Sequence, residues 1–251
     1  MNMLFIVVAG ALGTIAGSFI GVVAERAYTG QSWKRGRSRC NSCREDLSVR
    51  DLIPVFSWLM HRGRCRKCSS SVPGAYILVE LSLGILFAAA YSTFGLTSQL
   101  LVFLAALCVL AFIVMYDLRH TLVPPGAAAA LVVLSGVFAL LVSSDAAAFI
   151  RTLTYATVIA AFFFSLYLFS RGRAMGLGDT PISFALALLA GSAAPAGFLF
   201  SFWIGGVIGI CILVLRRGGP RMGIEVPFVP FMAAGFLLAL FTQWNPLPPL
   251  F

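Results

Sequence analysis

The chain has 251 residues, of which 60% are hydrophobic and only 11% charged. Soluble domains average about 45–50% apolar and about 25% charged residues, so this chain cannot coat a water-soluble globule, and a soluble enzyme or a disordered chain is excluded. The net charge of +9 would suggest nucleic acid in a soluble protein. In a chain this apolar it reads instead as basic residues gathered on one side of a membrane, and no nucleic-acid partner is expected.

A spanning helix needs about 20 mostly apolar residues. Eight stretches qualify, at approximately 3–24, 75–95, 98–116, 124–143, 148–170, 180–195, 196–215 and 228–244. The sixth is short, and its boundary with the seventh is the least defined. No basic residue precedes the first stretch and Arg26 follows it, so it reads as an anchor rather than a cleavable signal peptide. The expected fold is an all-α polytopic membrane protein of about eight transmembrane helices with a small cytoplasmic zinc-binding loop domain. It divides into a first helix (1–24), the loop domain (25–74) and a membrane domain (75–251). With the N-terminus outside, the cytoplasmic segments are 25–74, 117–123, 171–179 and 216–227. They hold 17 of the 18 basic residues, leaving only Arg151 toward the outside. The expected location is therefore a membrane, multi-pass, with the long loop on the cytoplasmic side.

That loop reads Cys40-Asn41-Ser42-Cys43, then 21 residues, then Cys65-Arg66-Lys67-Cys68. Each Cys-x2-Cys turn brings two sulfurs to one ion, and two turns complete a tetrahedral site. The flanking Arg39, Arg44, Arg64, Arg66 and Lys67 favour thiolates and offset the charge of a four-thiolate zinc ion. Two disulfides or a redox pair are the alternatives, but the cytosol is reducing. With four protein ligands the zinc is structural, and its binding energy stabilises a loop too small to fold alone. His61 is a minor alternative ligand. Cys108 and Cys211 fall inside spanning helices.

Asp117 closes the third stretch, in Tyr116-Asp117, and Asp179 opens the sixth, in Gly176-Leu177-Gly178-Asp179. The topology puts both at the cytoplasmic boundary, where they could face one another. Ionisable residues in spanning segments are functional candidates. Two close carboxylates share a proton, so one can act as a base on water while the other polarises a carbonyl. Gly176 and Gly178 would allow close backbone approach and unusual φ/ψ. The plain alternative is a pair of interfacial acids near Arg119 and Arg173.

These blocks, in order, resemble the type IV prepilin peptidases, intramembrane aspartic proteases of the GxGD type. The resemblance covers most of the chain. It runs through Gly17-Ser18-Phe19-Ile20-Gly21-Val22-Val23-Ala24-Glu25-Arg26, the paired cysteine loop with Ile53-Pro54-Val55-Phe56-Ser57-Trp58 and Arg62-Gly63-Arg64-Cys65, and Tyr76-Ile77-Leu78-Val79-Glu80-Leu81. It continues through Tyr116-Asp117, Gly176-Leu177-Gly178-Asp179 and Val226-Pro227-Phe228-Val229-Pro230-Phe231. It implies an endopeptidase of the bacterial inner membrane with Asp117 and Asp179 catalytic, cutting the basic leader from prepilins or pseudopilins after a glycine. Many members then N-methylate the new N-terminus with S-adenosylmethionine. The chain departs from the family at Gly21, usually Asn, at Thr180-Pro181-Ile182, commonly Val-Lys-Leu, and at Pro125, often polar. Presenilin-type proteases share Tyr-Asp and Gly-Leu-Gly-Asp but lack the cysteine loop.

Glu80 reads as a structural or loop-supporting acid near Arg26 or Arg119, or as a contact for leader or cofactor. Glu225 is a second acid that could receive the leader charge. His120, three residues after Asp117, reads as an interfacial histidine. The loop, at net +7, suits anionic lipid headgroups rather than a basic leader. No glycine-rich fingerprint marks an S-adenosylmethionine site, so no residue is assigned to it. Two other classes remain: a proton-coupled transporter with Asp117 and Asp179 as relay, and a non-catalytic scaffold that recruits partners through the zinc loop. The first requires polar residues deep in several helices, and these are scarce.

Overall fold

Backbone N–H and C=O groups in lipid find no water, so apolar runs of this length satisfy them internally as helices. The computed structural model describes residues 2–30, 32, 36–40, 42–173, 175–215, 227–244 and 246, without the side chains of Val49 and Leu213. Its helices are α1 (Met3–Thr29), α2 (Phe56–Met60), α3 (Gly74–Phe94), α4 (Ser98–His120), α5 (Pro125–Val142), α6 (Ala146–Ser170), α7 (Asp179–Ala190), α8 (Ala194–Leu215) and α9 (Val229–Thr242). A helix stands at each of the eight expected positions. Lys34, Arg35, Arg216, Arg217, Arg221 and Glu225 lie outside the described residues.

The expectation of eight spans is not met by length. Six segments among the described residues are long and apolar enough to cross a bilayer, and one of them is Asp179–Ile212 taken whole. That segment breaks at Gly191, whose φ of 59° and ψ of −124° are not helical. The 12-residue α7 covers about 18 Å at 1.5 Å per residue, short of a hydrocarbon core about 30 Å thick. The 14-residue α9 is short for the same reason.

The described chain forms two compact units, Met1–Leu100 and Leu101–Phe251. In the first, α1 packs along α3 through glycines. A Cβ on Gly13 would lie 2.4 Å from the Leu83 carbonyl oxygen, and one on Gly17 would lie 2.8 Å from Glu80 Cα. From the other side, Gly84 leaves no space against Thr14 (2.7 Å). Small residues at three- and four-residue steps let two backbones approach where hydrophobic burial gives no drive between helices. Farther along, the Tyr76 ring covers Gly21, and its hydroxyl donates to the Glu25 carboxylate.

In the second unit α7 is the central helix. Ile182, Ser183 and Ala185–Ala190 are buried where it packs against α5, α6, α8 and α9. Phe163, Phe198, Phe202 and Phe228 form a cluster with ring centroids 5.1–6.0 Å apart. It ties α6 and α8 to the residue just before α9. Gly235 sits against the Ser201 backbone, where a Cβ would come within 2.4 Å of the nitrogen. The start of α9 is thus fixed by aromatic packing and its body by close backbone approach.

Candidate active site and metal centre

The loop domain holds two turns of the same design. Cys40 N–H donates to Glu45 O (3.0 Å) and Arg44 N–H to Cys40 O (2.9 Å), with Arg44 at φ 57°. Cys65 N–H donates to Ser70 O (2.8 Å) and Ser69 N–H to Cys65 O (2.9 Å), with Ser69 at φ 57°. A β-bridge closes each turn, Arg39 to Asp46 and Arg64 to Ser71. The four sulfurs of Cys40, Cys43, Cys65 and Cys68 lie within 4.8 Å of one another, and Cys40 Sγ is 3.8 Å from Cys68 Sγ. Four thiolates around zinc, at about 2.3 Å each, stand about 3.8 Å apart in a tetrahedron, so this donor set fits the ion. His61 is not a member: its Nε2 faces Asp51 Oδ1 at 3.6 Å.

The turns also prepare the sulfurs electrically. Backbone N–H groups of Cys43 and Ser42, with the Ser70 hydroxyl, hold the Cys40 thiol down at about 6. The Ser70 hydroxyl, 3.0 Å from Cys68 Sγ, and the Ser70 backbone lower the Cys68 thiol. Cys43 receives an N–H from Glu45 that favours its thiolate, yet desolvation and the neighbouring sulfurs push it up to about 11. Four thiolates this close need a cation among them.

Glu80 is buried, and its Oε2 accepts the Val55 N–H at 2.7 Å. Val55 has φ 62° and ψ −51°, and Phe56 N–H donates across it to Pro54 O at 2.5 Å. This is the strained form of the γ-turn, on a β-branched residue. The partner that the structure gives Glu80 is therefore a backbone amide of the loop. Around it lies a cavity of about 1010 Å³, lined by Glu25, Trp58, Tyr76 and Glu80 among others. The buried Trp58 Nε1 has no hydrogen-bond partner, and the Trp58 ring covers Gly63, where a Cβ would come within 2.7 Å of it.

In the second unit, Asp117 occupies the last turn of α4 and is 5% exposed. Asp179 is the first residue of α7 and half-buried. Two loops meet beside them. A Cβ on Gly178 would lie 2.8 Å from Val123 Cβ, so the turn before Asp179 seats on the segment that follows Asp117. Asp179 N–H donates to Gly176 O at 3.3 Å. Neither glycine has a positive φ. The expected unusual backbone angles are absent, and close approach alone accounts for Gly178. Pro181 falls in the first turn of α7, where a proline is tolerated.

Asp117 Oδ2 is buried without a hydrogen-bond partner. His120 packs its ring on Tyr116, with centroids 4.9 Å apart.

Two convergent carboxylates and a four-sulfur metal site on one membrane chain narrow the comparisons. Residues 11–94, nearly all of the first unit, match the family model of the bacterial peptidase A24 N-terminal domain. A prepilin leader peptidase/N-methyltransferase of Bacillus subtilis is 30% identical over 250 residues, covering 95% of this chain and 93% of the relative. The chain belongs to the prepilin leader peptidase/N-methyltransferase family. Members of that family from Myxococcus xanthus (38% identical, 87% of this chain) and Aeromonas hydrophila (31% identical, 83% of this chain) are also similar. The chain spans 66% of the Myxococcus relative's length and 74% of the Aeromonas relative's. No solved structure matches. Within this family the cysteine loop lies in the matched N-terminal domain, and both aspartates lie beyond it.

Proposed function

We propose that the chain is a membrane aspartic endopeptidase that removes the basic leader of type IV prepilins or pseudopilins, then N-methylates the new N-terminus. The observation that carries the peptidase reading is the close seating of Gly178, next to Asp179, on Val123 in the segment that follows Asp117. The names of the relatives support the substrate class and the methylation. The transporter and scaffold readings have no comparable support.

In the proposed mechanism one carboxylate takes a proton from water as its oxygen bonds to the scissile carbonyl carbon. The partner, protonated, donates to the carbonyl oxygen. Collapse breaks the C–N bond, and the leaving amine takes up a proton. The contact of Gly178 with Val123 holds the turn before Asp179 in place throughout. Zinc, held by Cys40, Cys43, Cys65 and Cys68, has no open position and supports only the loop. The cavity beside Glu80 is the place for the methyl donor: it has the volume of a cofactor site. The Glu25 and Glu80 carboxylates and the Tyr76 and Trp58 rings suit the sulfonium, and the basic residues that also line the cavity, Arg26 and Arg37 among them, suit the carboxylate of the same molecule. S-adenosylmethionine would supply an electrophilic methyl group there, and Gly176, Gly178 and Glu80 act as supports rather than reacting groups.

The charge distribution supports an N-terminus outside the bacterial inner membrane, with the zinc loop and both aspartates toward the cytoplasm. Anionic lipid headgroups are the partner of the basic loop. The test is prepilin cleavage in membranes by wild type, Asp117→Asn and Asp179→Asn. Each variant is expected to lose roughly 10²–10⁴-fold in rate at normal protein level, the range for general acid–base groups. Methylation adds about 14 Da to the wild-type product, one methyl replacing hydrogen. Full cleavage by both variants refutes the aspartic mechanism.

A further inference from the structure

We propose that residues 52–60 of the zinc loop form an apolar anchor buried in the lipid interface beside α1 and α3. The inference rests on α1 and α3 as membrane spans and is independent of the peptidase reading. The segment carries an unusual density of exposed large apolar side chains: Leu52 41%, Ile53 44%, Phe56 54%, Leu59 58% and Met60 59%. Phe56, Leu59 and Met60 stand at i, i+3 and i+4 of α2, on one face. Trp58, between them, turns inward over Gly63. An apolar face of this kind on water-exposed protein marks an interaction surface.

Its depth identifies what covers it. Helix α3 has 21 residues, about 31 Å at 1.5 Å per residue, and all of that length is needed to cross a core about 30 Å thick. Glu80 is the seventh residue of α3, about 9 Å along it, and its carboxylate holds the Val55 N–H at 2.7 Å. Val55 immediately precedes α2. The start of α2 is thus tied to the level of the second turn of a spanning helix, not to the water beyond its end. At that level α3 itself presents Leu78 (65% exposed) and Leu81 (41%), so the apolar face continues a lipid-facing surface. Arg50 and Arg62 flank the segment and are exposed, the arrangement of an interfacial helix whose cations meet anionic headgroups. The strained turn at Val55 then has a use: it redirects the chain from the loop into α2 within one residue.

The full chain in phosphatidylglycerol-containing nanodiscs tests this. A benzophenone amino acid is placed singly at Phe56, Leu59, Met60 and, as control, Glu45, which pairs with Lys67 near the sulfurs. Zinc content shows that each variant is folded. Irradiation is expected to give phospholipid adducts at the first three positions and few at Glu45. Equal lipid labelling at all four positions, cross-links mainly to residues 101–251, to a second copy or to prepilin, or no adducts would each overturn the proposal. The unmodified chain gives an independent reading. Met60 should resist oxidation by hydroxyl radicals in nanodiscs despite its 59% exposure in the protein alone, and rapid sulfoxide formation would refute its burial in lipid.

Discussion

Gly178 is the residue on which the geometry of the aspartates turns. Its missing Cβ is replaced by the Val123 side chain, which a Cβ would meet at 2.8 Å. Gly178→Ala should push the two loops apart by a few tenths of an ångström or more. A displaced catalytic group of this kind lowers activity by on the order of 10²-fold. Val123→Ala in the same chain should restore much of it by reopening the space, and a cleavage assay on the single and double variants reads this directly. No recovery in the double variant would mean that Gly178 acts through backbone freedom instead. Asp117 and Asp179 themselves were legible because charge is scarce in this sequence and each sits at the end of an apolar run. Val123 was not, because it reaches the site from the loop between α4 and α5 and carries no chemistry of its own. Glu80 was legible as an oddity, an acid inside an apolar run, but its partner, a backbone N–H 25 residues earlier, leaves no trace in sequence pattern.

Among the elements, the twin cysteine turns were read from spacing alone, since Cys-x2-Cys encodes a local turn whose hydrogen bonds close within six residues. Their stability should follow pH in a defined sense. Protons compete with zinc for all four thiolates, so zinc should leave as pH falls, measurable as zinc release to a chromogenic chelator. Stripping the metal at neutral pH should make residues 36–72 sensitive to protease while α5 to α9 stay protected. Equal resistance with and without metal would show that the loop folds unaided. The seam between α1 and α3 makes a separate prediction. Gly13→Val places two methyl groups where the Leu83 carbonyl oxygen already stands 2.4 Å from a single Cβ, and overpacking of this order destabilises by about 1–3 kcal/mol. Thermal unfolding in detergent, followed by the near-ultraviolet signal, should fall in midpoint accordingly.

For the whole molecule, the positions of the eight helices at the expected stretches were legible among the described residues, because apolar runs have few other ways to satisfy a backbone in lipid. Their lengths were not: α7 and α9 are shorter than a span. The break at Gly191 and the brevity of α9 depend on packing against α8 and the Phe228 cluster, which hydropathy does not register. The proposed sidedness can be read without any assay of activity. A Ser144→Cys chain, altered between α5 and α6, should react with a membrane-impermeant maleimide from outside intact cells, whereas the loop cysteines should react only after lysis. Labelling in the reverse order would invert the topology.

The glycine face of α1 also bears on how the protein is made. Helix α1 leaves the ribosome before its partner α3, which follows only after the entire cysteine loop has been synthesised. Throughout that interval Gly13 and Gly17 present bare backbone to lipid, with nothing to fill the groove. Completion of the pair therefore follows the arrival of the last cysteines, Cys65 and Cys68, in the cytosol. Metal capture and helix pairing thus become available one after the other, within the synthesis of residues 65–94.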